Sequence, residues 1–231
     1  SLSANVPDSV RFEAGVGLSG VYSLSNYDSL FCIIKEMEAY GRKKGNKKWM
    51  GTALSKMGKY YYLIGKSDSS ILAYQNALKY FDQDKEESVP LIYMNIGRTW
   101  KVLNNQDSAI FYLELALEKT KKIAVSADKE ASICIKLGAS YEVQSKYLEA
   151  IQYYDRAAKQ GFGQIKYVAA FNAGMIFQKL GLPEEASAHF KEAIQFAQEA
   201  KDPASMVKGY ALMLWVASDL SQAQSFLDKG L

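Results

Sequence analysis

The sequence predicts an all-α protein, a solenoid of antiparallel helix pairs. A glycine-centred pattern recurs four times along the chain at similar spacing. Each copy contains two stretches with apolar residues at three- and four-residue intervals, separated by a short polar or glycine-containing turn. The 231 residues are enough for about five helix pairs and a further N-terminal pair in one continuous array.

The repeated pattern starts from a glycine inside the first helix of each pair. An aromatic residue follows three positions later, a small residue at twelve, a bulky residue at sixteen and an alanine at nineteen. After Gly58 these residues are Tyr61, Ser70, Tyr74 and Ala77. The same columns follow the other three glycines, which are Gly97, Gly138 and Gly174.

These four glycines are predicted to mark close contacts between helices. Glycine inside a helix is about 1 kcal/mol less favourable than alanine, so a packing reason is expected. We expect the missing side chain to let the second helix approach, with its small residue facing the gap and the aromatic residues beside it. The small residues are Ser70, Ala109, Ala150 and Ala186.

The segment IGKS, residues 64–67, looks like the end of a phosphate-binding loop, but it fits a turn better. That loop has the form G-x-x-x-x-G-K-[ST], and its first glycine would fall at position 60, which is Tyr60. In the repeat alignment the segment joins two helices. Gly65 and Gly181 fit a helix C-terminus, and Pro183 fits the first turn of the next helix.

The glycine, aromatic and alanine columns resemble the tetratricopeptide repeat, a helix–turn–helix unit. The resemblance implies a right-handed superhelix whose first helices line a concave groove. Four clear copies lie in residues 46–202, after a loosened helix pair in residues 1–45 and before a weaker copy in residues 203–231, all in one solenoid domain. The glycines are 39, 41 and 36 residues apart. This long spacing resembles the arrays of bacterial signalling proteins and quorum-peptide receptors.

Catalytic or metal chemistry is not indicated by the sequence. The single histidine, His189, falls in a second helix and is interpreted as a surface residue. No cluster of histidine, cysteine and aspartate has metal-ligand spacing, and no nucleophile–base pair is suggested. We therefore predict no enzyme, no catalytic or metal site and no cofactor. Cys32 and Cys134 lie in helical patterns and are interpreted as buried small hydrophobes.

Composition bears on the class of partner. A net charge of +3 is too slight to indicate nucleic-acid binding. The tyrosines that could stack on bases are largely explained by the repeat columns instead. No stretch approaches eighteen apolar residues, so no membrane insertion is predicted. A soluble protein of the cytoplasm or the periplasm fits equally well.

The candidate binding residues follow from the resemblance, which places certain first-helix positions in the groove. These positions lie two residues before each repeat glycine and, in the first two copies, one residue after it. They carry Lys56, Lys59, Asn95, Arg98, Lys136 and Asn172. Such cationic and amide donors suit a peptide with acidic side chains or a terminal carboxylate. The alternative is a solvated polar lining with no particular ligand.

The sequence therefore predicts a non-catalytic scaffold that binds a protein or peptide in its groove. The alternative is a ligand-sensing input region of a bacterial signalling or transcription-regulatory protein.

The C-terminal end raises a separate expectation. The segment YALMLWVAS, residues 210–218, is apolar nearly all round, whereas the last unit of a solenoid normally has a polar outer face. We expect either further sequence or a second copy in a homodimer to cover this end.

Overall fold

A computed structural model describes residues 7–22, 26–83, 85–123 and 125–216 of the chain. These residues form eleven α-helices and no strand, which confirms the all-α prediction. The helices are α1 (Asp8–Tyr22), α2 (Tyr27–Lys43), α3 (Lys47–Leu63), α4 (Ser67–Leu78), α5 (Ser88–Val102), α6 (Gln106–Lys122), α7 (Ala127–Val143), α8 (Tyr147–Gln160), α9 (Gln164–Lys179), α10 (Pro183–Glu199) and α11 (Pro203–Val216).

The helices pack into two compact units that divide between residues 124 and 125. The first unit contains α1 to α6 and the second contains α7 to α11. Within each unit, every helix packs against the next one along the chain. The odd-numbered helices are the first helices of the pairs, and α3 contacts α5, α7 contacts α9, and α9 contacts α11. Contacts between sequence neighbours are typical of stacked helical repeats.

The repeat glycines mark close helix contacts, as predicted. At three of them, a Cβ atom on the glycine would lie only 2.7 Å from an aromatic ring of the second helix. The glycine–ring pairs are Gly58 with Tyr74, Gly138 with Tyr154, and Gly174 with Phe190. Any side chain at these positions would push the ring and its helix away.

The residue nearest to each repeat glycine is the bulky one sixteen positions on, whereas the prediction placed the small residue at this gap. At Gly97 a Cβ atom would lie 2.8 Å from Leu113 and 2.9 Å from the carbonyl oxygen of Ala109, so both positions contribute. Ser70 has a different role, because its hydroxyl donates a 2.8 Å hydrogen bond to the carbonyl oxygen of Gly58.

The IGKS segment is the turn between α3 and α4. Gly65 has a φ of +75°, and the N–H of Lys66 donates to the carbonyl oxygen of Tyr61 at 2.8 Å, which satisfies a helix C-terminal carbonyl. Gly181 ends α9 in the same way with a φ of +73°, and Pro183 begins α10. The predictions for these turns are confirmed.

The two cysteines lie in different environments. Cys134 is buried in α7, as predicted, and burial raises the pKa of its thiol to about 11. Cys32 is exposed, so that prediction was wrong. The reason is helix geometry: α2 packs through Leu30, Ile34 and Met37, which share one face that does not include position 32.

The predicted loosened pair forms α1 and α2, and the weak C-terminal copy contributes α11. Tyr210 and Met213 of α11 are buried with Phe190 and Ile194 of α10, which accounts for part of the apolar C-terminal segment. Residues 217–231 and the side chain of Trp215 lie outside the described part of the chain. The expectation that further sequence or a second copy covers this end is therefore still a prediction.

Candidate functional site

The six predicted groove residues lie on first helices and are all half-buried. In the first unit, α3 carries Lys56 and Lys59, and α5 carries Asn95 and Arg98. Because α3 contacts α5, the fold brings these four residues onto two adjacent helices. In the second unit, Lys136 lies on α7 and Asn172 on α9.

Two lysines on α3, Lys56 and Lys59, lie close enough to affect each other's charge. Burial lowers the pKa of Lys56, and the neighbouring charge of Lys59 lowers it further. Both effects disfavour the protonated form of the Lys56 amine. A negatively charged group placed beside the two lysines would offset both effects.

Arg98 connects α5 to α3 through an aromatic contact. Its guanidinium carbon lies 4.1 Å from the ring centre of Tyr62, which is a cation–π contact. The Nε atom of Arg98 is buried and has no hydrogen-bond partner among the described residues. Tyr62, which lies four residues after Gly58 and outside the repeat columns, is thus a further residue of the site.

A fully buried tyrosine lies near this contact. Tyr74, on α4, has no exposed surface, and its hydroxyl has no hydrogen-bond partner in the described part of the chain. Burial raises the pKa of Tyr74, and the positive charge of Arg98 opposes that shift. The hydroxyl is therefore neutral at physiological pH and is available as a donor. Sequence reasoning placed Tyr74 in the core and missed its unpaired hydroxyl.

The corresponding tyrosine of the second unit is paired with a carboxylate. The Tyr154 hydroxyl donates to the carboxylate of Glu142 at 3.1 Å, and the Asn172 side chain lies near the same hydroxyl. Burial, and then the Glu142 charge, raises the pKa of Tyr154. Asn172 is thus tied to a core residue of its own unit.

The sequence underestimated the burial of His189. The histidine ring stacks on Phe177 with ring centres 5.0 Å apart and an interplanar angle of 14°. Its Nδ1 atom lies 3.7 Å from Glu192, and the side chain is only 21% exposed. The contacts describe a residue that packs between α9 and α10.

The described residues contain neither a metal-binding cluster nor a membrane-spanning helix. Residues 7–22, 26–83, 85–123 and 125–216 contain no group of three or more histidine, cysteine, aspartate and glutamate side chains that could hold a metal ion. None of the helices in those ranges is both long and apolar enough to cross a membrane.

Comparison with known sequences gives two matches. The family model for anaphase-promoting complex subunit 5 matches residues 139–219. Protein KINESIN LIGHT CHAIN-RELATED 2 of Arabidopsis thaliana is 27% identical over 166 residues, which cover 68% of this chain. The chain spans only 25% of the length of that relative.

Solved structures agree with the helical-repeat architecture. A signal transduction ATPase with numerous domains and a tetratricopeptide repeat sensor, from Pyrococcus horikoshii, is 20% identical with a TM-score of 0.77, over 98% of this chain and 36% of that one. The apo form of the quorum sensor NprR from B. thuringiensis is 16% identical with a TM-score of 0.69, over the whole of this chain and 65% of that one. At these identities the likeness concerns the fold.

Proposed function

Because this chain has the tetratricopeptide-type repeat fold, we propose that it is a non-catalytic module that binds a protein or peptide on its first helices. In the first unit the binding face consists of Lys56, Lys59, Tyr62, Asn95 and Arg98 on α3 and α5. Lys136 and Asn172 supply the corresponding positions of the second unit. The face of the first unit is called the α3/α5 face below.

One observation carries this proposal: three half-buried cationic side chains, Lys56, Lys59 and Arg98, lie on two adjacent helices. Such a face attracts acidic groups and repels basic ones, so electrostatic complementarity selects the partner. Half-buried charges are screened less by salt than fully exposed ones. We therefore propose an acidic peptide, or a peptide with a terminal carboxylate, as the partner.

A second candidate is a ligand-sensing region of a larger signalling protein. It is favoured by the names of two similar structures, one of which contains a tetratricopeptide repeat sensor and the other of which is a quorum sensor. In this version the same face binds the ligand, and the consequence of binding is passed to an effector region.

Selection from a random peptide library tests the binding proposal. The 231-residue chain is immobilised, the library is passed over it, and retained peptides are sequenced. We expect enrichment of aspartate, glutamate or a free C-terminus relative to the input library. Equal retention by the chain and by a blank surface would contradict the proposal. Hydrogen exchange can be measured with and without a retained peptide. If the peptide changes the protection of helices far from the α3/α5 face, the ligand-sensing function is favoured.

A further inference from the structure

Two tyrosines occupy the same place in the two units. Tyr74 lies sixteen residues after Gly58, and Tyr154 lies sixteen residues after Gly138. Both rings lie against their repeat glycine at the same distance, and both side chains are almost completely buried. Any difference around their hydroxyls therefore comes from the neighbouring side chains.

The hydroxyl of Tyr154 is paired within its own unit. Its acceptor is the carboxylate of Glu142, which lies four residues after the repeat glycine on the first helix. Asn172, on the next first helix, lies near the same hydroxyl. The Glu142 carboxylate thus gives the buried hydroxyl an acceptor, which is the usual condition of buried hydroxyls.

The first unit has no carboxylate at the equivalent place. The residue four positions after Gly58 is Tyr62, and its ring contacts Arg98 instead. Two buried donors, the Tyr74 hydroxyl and Arg98 Nε, have no partner among the described residues. Unpaired buried donors are unfavourable, so each of these two donors would gain from an acceptor supplied by a partner.

We propose that a carboxylate of the bound partner takes the place beside Tyr74 that the Glu142 carboxylate takes beside Tyr154. The inference rests on the proposed function and names the group that the α3/α5 face recognises. Arg98 pairs with the carboxylate through charge-assisted hydrogen bonds, and the Tyr74 hydroxyl donates to it. A neutral amide or carbonyl oxygen would accept from Tyr74 but would leave the charges of Arg98 and Lys56 without a counter-charge.

Access to the Tyr74 hydroxyl requires a side-chain movement. Arg98 and Tyr62 are both half-buried and not fully enclosed. Because the Tyr74 hydroxyl is buried, the proposal requires Arg98 or Tyr62 to change rotamer as the carboxylate enters. Rotamer changes of partly exposed side chains are fast compared with peptide binding.

The test uses the full chain and two fluorescein-labelled probes, hexaglutamate and hexaglutamine, with affinity measured by fluorescence anisotropy. We expect the wild type to bind hexaglutamate and not hexaglutamine. Arg98→Met and Tyr74→Phe should each weaken hexaglutamate binding by roughly tenfold or more, because each removes a hydrogen bond to a charged group. Matched controls are Lys79→Met, which removes an exposed charge just after α4, and Tyr154→Phe, which removes the paired hydroxyl. Both controls should bind like the wild type.

A second pair of variants tests the place itself. Tyr62→Glu puts a carboxylate where the second unit has Glu142, so we expect a higher melting temperature and loss of hexaglutamate binding. Tyr62→Gln introduces a side chain of the same shape as glutamate but without its charge. This variant should bind hexaglutamate more tightly than Tyr62→Glu does. The inference is overturned if Arg98→Met and Tyr74→Phe bind hexaglutamate as the wild type does, or if the wild type binds both probes equally or neither. Peptides retained in the library selection would still support the binding function in that case.

Discussion

The ring of Tyr154 lies directly over Gly138, where a Cβ atom would come within 2.7 Å of the ring carbons. This contact joins the first and second helices of one pair through an aromatic ring packed on bare backbone. The same contact recurs at Gly58 and Gly174. It explains why the sequence retains a glycine where helix propensity alone disfavours it.

Replacing Gly138 with alanine should destabilise the second unit. The added methyl group cannot fit without moving Tyr154, and overpacking of this kind costs about 1–3 kcal/mol of unfolding free energy. Gly138→Leu should cost more. The free energy is measured by urea unfolding monitored by circular dichroism.

Gly17 provides the matched control for Gly138. It also lies inside a helix, α1, but a Cβ atom there would meet nothing within 4 Å. Gly17→Ala should therefore stabilise the protein by roughly 0.5–1 kcal/mol through helix propensity. Equal effects of the two alanine substitutions would show that the contact with Tyr154 is not close.

Much of the fold could be predicted because its contacts are local and periodic. The helix-pair pattern, the close glycine contacts and the Gly65 turn all follow from residues a few positions apart. Two turns within helix pairs lack glycine and were harder, because Asn104 and Ser145 adopt a positive φ that is uncommon for residues other than glycine. Their position, seven residues after the repeat glycine like Gly65, was the available signal.

The site was less predictable than the fold. The sequence indicated Arg98 from its repeat position, but its contact with Tyr62 depends on side-chain directions across two helices. The unpaired hydroxyl of Tyr74 could not be predicted from the repeat position that it shares with Tyr154. The difference between the two tyrosines lies in another residue, four positions after the repeat glycine. Only the packed structure shows that Glu142 supplies an acceptor in one unit while Tyr62 replaces it in the other.

The two thiols should react at very different rates. Cys32 is exposed, whereas Cys134 is buried with a pKa raised to about 11, so at about pH 8 very little of its thiol is ionised. Iodoacetamide should therefore modify one cysteine in the folded protein and both in urea, as counted by mass spectrometry. A Cys32→Ser variant should be unmodified when folded. Rapid double modification of the native protein would show that Cys134 is accessible.

Reversing charge on the first helices should abolish binding of acidic peptides. Arg98→Glu combined with Lys136→Glu places negative charge on a groove position of each unit, so an acidic ligand is repelled. The single variants, Arg98→Glu and Lys136→Glu, then show which unit contributes to peptide binding. Binding is measured by anisotropy with a labelled acidic peptide from the library, and circular dichroism verifies that the helices persist.

Lys79→Glu is the control for charge reversal, because Lys79 is exposed at the end of a second helix. It changes net charge by the same amount as Arg98→Glu and should leave the affinity nearly unchanged. If the doubly reversed protein still binds the acidic peptide, the recognition surface lies elsewhere.

Lys56 should make stability depend on pH. Its pKa is lowered in the folded protein, chiefly by burial, relative to the ordinary value of 10.5. Between the lowered value and 10.5 the unfolded chain binds more protons than the folded chain, so the free energy of unfolding contributed by Lys56 rises with pH. Below that window the buried charge opposes folding. Lys56→Met should therefore be more stable than the wild type at neutral pH, and this advantage should shrink as the pH approaches about 10.

Urea unfolding of the wild type and of Lys56→Met, from neutral pH to about pH 10, measures the difference in their free energies of unfolding. Because other titrating groups affect both proteins alike, their effect cancels in this difference. Lys79→Met is the control. The Lys79 side chain is exposed, so its substitution does not remove a buried charge. A saturating acidic peptide should reduce the advantage of Lys56→Met at neutral pH, because the peptide's negative charge stabilises the protonated amine. An advantage that is constant with pH would show that Lys56→Met acts through apolar packing alone, and that the Lys56 charge does not oppose folding.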